Sequence, residues 1–362
     1  MKAVQLVAIG KPLELRELPR PEPGPGEVRV RVLAAGICHS DALYRAGKSG
    51  VGFLPITLGH EVAGVVDKIG ASVEGIAIGD RVALHYLFTC GQCEYCIRGL
   101  EQFCRSGRML GKHAHGGYAE YVIAPARNAI PIPAAVNTQA AAIMMCSSAT
   151  AFHALHKARM RAGDRVAVFG AGGLGISAIQ LARASGAAEV FAIDIDPGKL
   201  KAAQGFGAQP IDPAHGAPER QLRDRTGGRG VDVALDFAGL PTTQQQAVAS
   251  LGVQGRAALA GISGVPFAVE SYPMMIGGEL EIVGVSDHLR SELVTLMEFA
   301  QRELIDLESV ITDRIALDAE QINSRLDALA GAVVQVDNGV AAGSETFPHH
   351  ARDLPRVVCG VV

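Results

Sequence analysis

Apolar and polar positions follow two different rhythms along this chain, and the change between them marks its organisation. In roughly the first 130 residues, apolar side chains recur at every second position in short runs. Val28-Arg29-Val30-Arg31-Val32 sets three valines against two arginines, the pattern of a strand with one buried face. Residues 64–70 and 80–84 read as further strands closed by Gly or Asp, and the opening MKAVQLV reads as a first strand rather than an export signal. Residues 19–26 hold four prolines in eight positions, which marks a turn or extended chain. Short strands broken by turns predict a small β-barrel continuing to about Pro133.

The rhythm then changes. Residues 138–157 are Ala-rich and predict a helix. After Asp164, strands at 166–169, 190–193, 231–237, 257–260 and 280–285 alternate with helices at 174–183, 197–204, 219–225 and 242–251. Such alternation predicts a parallel sheet covered on both faces, so the expected class is α/β. Beyond His288 the pattern predicts a helix at 291–302, a strand at 310–315 and a helix at 319–329. The segment from Gly331 carries no pattern that assigns it to an element.

Composition narrows the function. At ~150 residues per domain, 362 residues give roughly two domains. Lys and Arg number 33 against 37 Asp and Glu, without basic blocks, which argues against nucleic acid as a partner. With 48% hydrophobic and 19% charged residues, a largely disordered chain is excluded. No apolar run reaches the ~18 residues of a membrane span. The expected compartment is the reducing cytoplasm, where the seven cysteines stand as thiols or metal ligands.

Three motifs carry candidate chemistry. Gly170-Ala171-Gly172-Gly173-Leu174-Gly175 follows a strand, opens a helix, and precedes Asp194 at the end of the next strand. In that context the glycines admit a pyrophosphate to helix N–H groups, and Asp194 accepts from the adenosine ribose. Its charge would repel a 2′-phosphate, favouring NAD over NADP. Cys90, Cys93, Cys96 and Cys104 have the spacing of a closed tetrahedral zinc site. Four unligated thiols or an iron–sulfur cluster remain open alternatives. The third motif is dispersed: Cys38-His39-Ser40-Asp41, then His60-Glu61, then Cys146. Taken singly, Cys146 reads as a small buried hydrophobe and His60 as a surface or hydrogen-bonded residue. The remaining histidines read blandly: His153 and His156 as surface or interface groups, His113 and His115 as solvated loop residues. Met144-Met145 reads as core packing and Cys359 as a spare thiol.

The order GxCHSD, GHEVAG, a four-Cys segment, GGYAEYV, a Cys and then GAGGLG with a following Asp resembles the zinc-dependent medium-chain alcohol dehydrogenases. The resemblance covers about residues 1–330 and is nearest the bacterial and yeast-like tetrameric kind. It implies a GroES-like β-barrel catalytic domain over 1–147 and 289–362, and a Rossmann NAD-binding domain over 148–288. It also implies two zinc ions per chain, one catalytic and one structural. Cys38, His60 and Cys146 would hold the catalytic ion, with Glu61 behind it as an exchange ligand and Asp41 orienting His60. Ser40 would take the substrate's hydroxyl proton, and Tyr86 would line the substrate pocket. His39 would lie near the pyrophosphate, Thr150 under the nicotinamide, and Lys199 beside Asp194 at the ribose. The implied partners are a small alcohol or carbonyl substrate and further copies of the chain, as a tetramer or dimer, with no nucleic acid and no membrane.

Two positions depart from the family pattern. Leu43 stands where many relatives have a relay His, and Arg356 is the only late candidate for a pyrophosphate-binding Arg. Rival readings are a polyol, threonine, formaldehyde or cinnamyl-type dehydrogenase, or a non-catalytic zinc- or nucleotide-binding protein on the same scaffold. Cys146 as third ligand leans away from polyols, and Asp194 leans away from the NADP-using cinnamyl type.

Overall fold

The computed structural model describes residues 1–311 and 313–336. Arg356 and Cys359 lie outside the described residues. Two compact units emerge. The first comprises Met1–Cys146, Leu289–Gln301 and the described residues from Leu307 onward; the second comprises Ser147–His288 and Arg302–Asp306.

The first unit runs β1 (Lys2–Leu6), β2 (Glu14–Glu17), β3 (Glu27–Gly36), α1 (His39–Arg45), β4 (Ile56–Thr57), β5 (Glu61–Ile69), β6 (Arg81–Leu84), β7 (Leu87–Phe88), α2 (Glu94–Ile97), β8 (Arg108–Met109), β9 (Tyr121–Pro125), β10 (Ala129–Pro131) and α3 (Thr138–Ile143). Its main sheet has the order β10-β6-β5-β3-β9, antiparallel throughout. Val28, Val30, Val62, Val66, Val82 and Val122 fill its core, as the alternation requires. Arg29 departs from the expected outward arginines. It is buried, held by Asp67 at 2.6 Å and Glu22 at 3.0 Å, so a doubly paired charge replaces its lost hydration.

In the second unit, α4 (Ala149–Lys157) precedes β11 (Arg165–Phe169), α5 (Gly173–Ala184), β12 (Glu189–Ile193), α6 (Pro197–Gly205), β13 (Gln209–Ile211), α7 (Pro218–Arg225), β14 (Val231–Asp236), α8 (Pro241–Ala249), β15 (Leu251–Leu259) and β16 (Glu281–Gly284). All six strands are parallel, in the order β13-β12-β11-β14-β15-β16. The order reverses between β11 and β14, the point at which such sheets bind ligands. The chain then gives α9 (Arg290–Gln301) and α10 (Ala319–Val336) to the first unit.

Three expectations are corrected. The single helix at 138–157 is interrupted by a π-helical turn over Met144–Ser148; such a widened turn inserts one extra residue and recurs at functional sites. The expected strand at 310–315 forms no ladder among the described residues. Side chains fix this segment instead: Arg325 pairs with Asp313, Arg314 donates to Gln139 at 2.6 Å, and Ile315 packs beside Ile322 and Leu326. His153 is buried rather than exposed, because α4 packs against α5 and β15. Met144 and Met145 are fully buried, as core packing requires. Among the described residues, no helix is long and apolar enough to cross a membrane.

Candidate active site

Strand register brings the dispersed motif together. Gly36, the last residue of β3, pairs with Glu61, the first of β5, after two register shifts along the ladder. Residues leaving β3 and entering β5 therefore stand side by side, which places Cys38 next to His60. α3 packs over β3 and β5, and the π turn at its end delivers Cys146. One donor atom each from Cys38, His60, Glu61 and Cys146 lies within 4.8 Å of the others. The two sulfurs are 3.9 Å apart. Two thiolates each ~2.3 Å from one tetrahedral zinc would stand about 3.8 Å apart.

The polar atoms of this cluster fit an ion. Both ring nitrogens of His60 and both carboxylate oxygens of Glu61 are buried without a hydrogen-bond partner, a costly state unless a metal satisfies them. Sulfur–sulfur hydrogen bonding with Cys146 and the His60 charge hold the Cys38 thiol well below its usual range, against the effect of burial. Burial pushes the Glu61 carboxyl well up, and the Cys38 charge adds to this.

Asp41 is the hub behind this cluster. Its carboxylate accepts from the Cys38 amide at 3.0 Å, the Gly59 amide at 3.2 Å and the Tyr118 hydroxyl at 3.0 Å. It lies 3.8 Å from His60 Nδ1, beyond a normal hydrogen bond, so it holds the two ligand-bearing loops more firmly than the imidazole itself. Tyr118 lies in the GGYAEYV motif, but an aromatic in a strand-like stretch looks like packing, so the sequence alone does not show this hydroxyl's role. Gly36 opens the GxCHSD motif, and the structure shows why it is a glycine. A Cβ there would lie 1.9 Å from Glu61 Oε2, so only glycine lets that carboxylate reach inward. Gly36→Ala is expected to cut activity on the order of 100-fold and lower zinc retention. Activity assays and metal analysis check this; wild-type values for both would contradict it.

Tyr86 is buried with its ring edge-on to His60 at 5.0 Å. Asn128 fixes that stretch by donating to the carbonyls of His85 and Leu87 at 2.8 and 2.7 Å. Ser40 and His39 sit half-buried in the first turn of α1, and Thr150 half-buried in α4 of the second unit. Leu43 offers no proton carrier. His113 and His115 serve as local acceptors, each Nδ1 receiving a backbone N–H, from Met109 at 3.1 Å and Thr57 at 3.2 Å.

Cys90, Cys93, Cys96 and Cys104 also offer sulfurs within 4.8 Å of one another. Closest pairs are 3.5 to 3.9 Å, far longer than the ~2.05 Å of a disulfide and close to tetrahedral zinc–thiolate spacing. Backbone N–H groups of Gln92 and Cys93 point at the Cys90 sulfur and lower its thiol to about 6, while burial raises Cys96 to about 12. Sulfurs this close suit one ion, not a multi-iron cluster. Cys93→Ser is expected to lose one metal and lower Tm by several degrees, since structural zinc contributes folding energy directly. An unchanged melting curve and metal content would contradict this.

In the second unit, Gly170 turns the chain at φ +92°. A Cβ on Gly175 would lie 2.0 Å from the Gly170 carbonyl oxygen, so that turn requires a glycine at its helical end. Gly172 is the N-cap of α5, followed by Gly173 and Leu174 in its first turn. Asp194 Oδ2 accepts from Ala171 N–H at 2.8 Å and Oδ1 from Asp196 N–H at 2.9 Å. The acid therefore braces the glycine loop. Lys199 lies in the first turn of α6, its amide capped by Asp196.

Comparison with known proteins agrees with this geometry. Residues 24–134 match the alcohol dehydrogenase GroES-like domain family, and residues 173–302 match the zinc-binding dehydrogenase family. The chain is 33% identical over 339 residues to the NAD-dependent alcohol dehydrogenase of Sulfurisphaera tokodaii, covering 91% of this chain and 96% of that one. It is 32% identical over 319 residues to the L-threonine 3-dehydrogenase of Pyrococcus horikoshii, covering 87% and 91%. A crystal structure of a zinc-binding dehydrogenase from Sinorhizobium meliloti bound to NADP superposes with a TM-score of 0.84 at 30% identity, covering 89% and 95%. With motifs, sheet order and relatives in agreement, the chain belongs to the zinc-dependent medium-chain alcohol dehydrogenases, oxidoreductases that exchange hydride between an alcohol or its carbonyl and a nicotinamide cofactor.

Proposed function

We propose that this chain oxidises a primary or secondary alcohol with NAD, and reduces the matching aldehyde or ketone. The observation that carries the reading is the buried convergence of Cys38, His60, Glu61 and Cys146, whose imidazole nitrogens and carboxylate oxygens have no hydrogen-bond partner among the described residues. Cys38, His60 and Cys146 would hold a catalytic zinc, with Glu61 poised to exchange. Three protein ligands leave a fourth position for substrate oxygen. When bound, the zinc supplies Lewis acidity to that oxygen and NAD takes or returns the hydride.

The chain's own residues do the rest. Ser40 takes the hydroxyl proton. Leu43 stands where a relay histidine would, so position 43 carries no proton onward; the bound cofactor's ribose and water, or another group, would have to do so. Tyr86 shapes the pocket wall beside His60. Asp41 and Tyr118 keep the ligand loops fixed, so the donors need no rearrangement on binding. Asp194, with Lys199, holds the adenosine ribose; His39 attends the pyrophosphate and Thr150 the nicotinamide. The four-cysteine segment would hold a second, closed zinc with a structural role only. We place the catalytic domain at 1–147 and 289–362 and the NAD-binding domain at 148–288.

The similarity to a threonine dehydrogenase favours an amino alcohol as second reading. A panel running from ethanol through secondary alcohols and benzyl alcohol to threonine and a polyol tests both by NADH production. Preference for simple alcohols supports the first reading; turnover of threonine alone replaces it with the second. No turnover of any kind would favour a binding role.

A further inference from the structure

Asp236 ends β14, the strand beside the sheet's reversal point, and is completely buried. No step above uses it. Thr243 Oγ1 donates to its Oδ1 at 2.7 Å, and the Gly239 amide donates to its Oδ2 at 3.1 Å. Its main-chain carbonyl accepts from the amides of Ala260 and Gly261, both at 2.9 Å. One residue thus joins the turn at 237–240, the start of α8 and the loop leaving β15.

That turn adjoins the glycine loop. Phe237 N–H donates to the Phe169 carbonyl at 2.9 Å, and a Cβ on Gly170 would lie 3.2 Å from the Ala238 nitrogen. The two segments that Asp236 ties are also tight against each other, since a Cβ on Gly261 would lie 2.2 Å from Gly239 N. In a sheet of this order, a dinucleotide crosses the carboxyl ends of the strands at the reversal. Asp194 takes the adenosine half on the β12 side. The other half then extends over β14 and β15, where the backbone that Asp236 ties forms the floor.

We infer that the Asp236 carboxylate is a positioning group for the nicotinamide half of the cofactor, fixing through Gly239 and Thr243 the 237–240 turn against which that half rests, while the 260–261 amides are held by the main-chain carbonyl that substitution leaves in place. The role rests on the reading of this unit as a dinucleotide-binding domain. Desolvation raises the Asp236 carboxyl to about 6, opposed by the Thr243 and backbone hydrogen bonds. A buried acid is costly where a neutral residue could pack, which points to a task for its hydrogen bonds rather than to bulk stability.

The test is calorimetric binding of NADH, and of ADP-ribose, which lacks the nicotinamide, to the zinc-loaded full chain. Asp236→Ala is expected to weaken NADH about 10-fold and ADP-ribose less than about twofold. Asp236→Asn keeps an acceptor for Gly239 and should recover NADH binding to within about threefold of wild type. Thr243→Val removes one donor while leaving the acid, and carries the test if Asp236→Ala does not fold; it should weaken NADH about threefold and spare ADP-ribose. Equal losses for both ligands, no loss of NADH affinity, or an Asn variant as impaired as the Ala variant would overturn the role. A wild type that binds neither ligand would overturn the dinucleotide reading itself, an outcome visible before any variant is made.

Discussion

His60→Ala and Cys146→Ser are each expected to lower kcat on the order of 10⁴-fold while NADH binding stays within about threefold of wild type. The size follows from what those side chains supply. Removing His60 takes the only nitrogen from a cluster whose remaining donors are Cys38, Cys146 and Glu61. An electrophile at the substrate oxygen contributes several kcal/mol of transition-state stabilisation, and each ~1.4 kcal/mol is tenfold in rate. Cys146→Ser keeps an oxygen donor but removes a thiolate, so some metal is retained in a weaker field. The nucleotide loop lies wholly in the second unit, so binding of NADH should survive. Steady-state kinetics beside NADH titration checks both halves. Turnover near wild type in a folded His60→Ala chain would refute the metal role of that residue.

Asp194→Asn is expected to narrow the preference for NAD over NADP by on the order of 100-fold, mostly by improving NADP. On the proposed reading the carboxylate would accept from the ribose hydroxyls, and a 2′-phosphate beside it would meet like charge. Asparagine removes the charge yet retains one carbonyl to accept from Ala171, so the glycine loop keeps its brace. Asp194→Ala removes both and should also weaken NAD, on the order of 10-fold beyond the Asn variant. The ratio of kcat/KM for the two cofactors in the three proteins separates charge from brace. A wild type that prefers NADP, or an Asn variant with unchanged selectivity, would contradict this account of Asp194.

The parallel sheet was legible because its central strands are short apolar runs bounded by Gly or Asp, such as 166–169 and 190–193. β13 was not, because Gln209-Pro210-Ile211 carries a proline that a strand tolerates only at an edge, the place it occupies in this sheet. The strand expected at 310–315 was a false signal: Ile311 and Ile315 are core anchors of an irregular segment whose polar residues bond by side chain. Both cysteine clusters could be read, one by local spacing and the other only by resemblance, since strand register joins positions 38 and 60 and the turn after α3 brings in 146. Tyr118 and Gly36 lie inside the motifs GGYAEYV and GxCHSD, but nothing in those motifs says what either does, and Asp236 lies in no motif. Their importance lies in one hydroxyl, one missing Cβ and one buried carboxylate, each defined by what the fold places opposite it.

Zinc content of the wild-type chain, measured beside a Cys38→Ala/Cys146→Ala variant, tests the central claim most directly. About two ions per chain in the wild type and about one in the variant are the predicted values. One ion in both proteins, or an unchanged count when the two thiolates are gone, would contradict it.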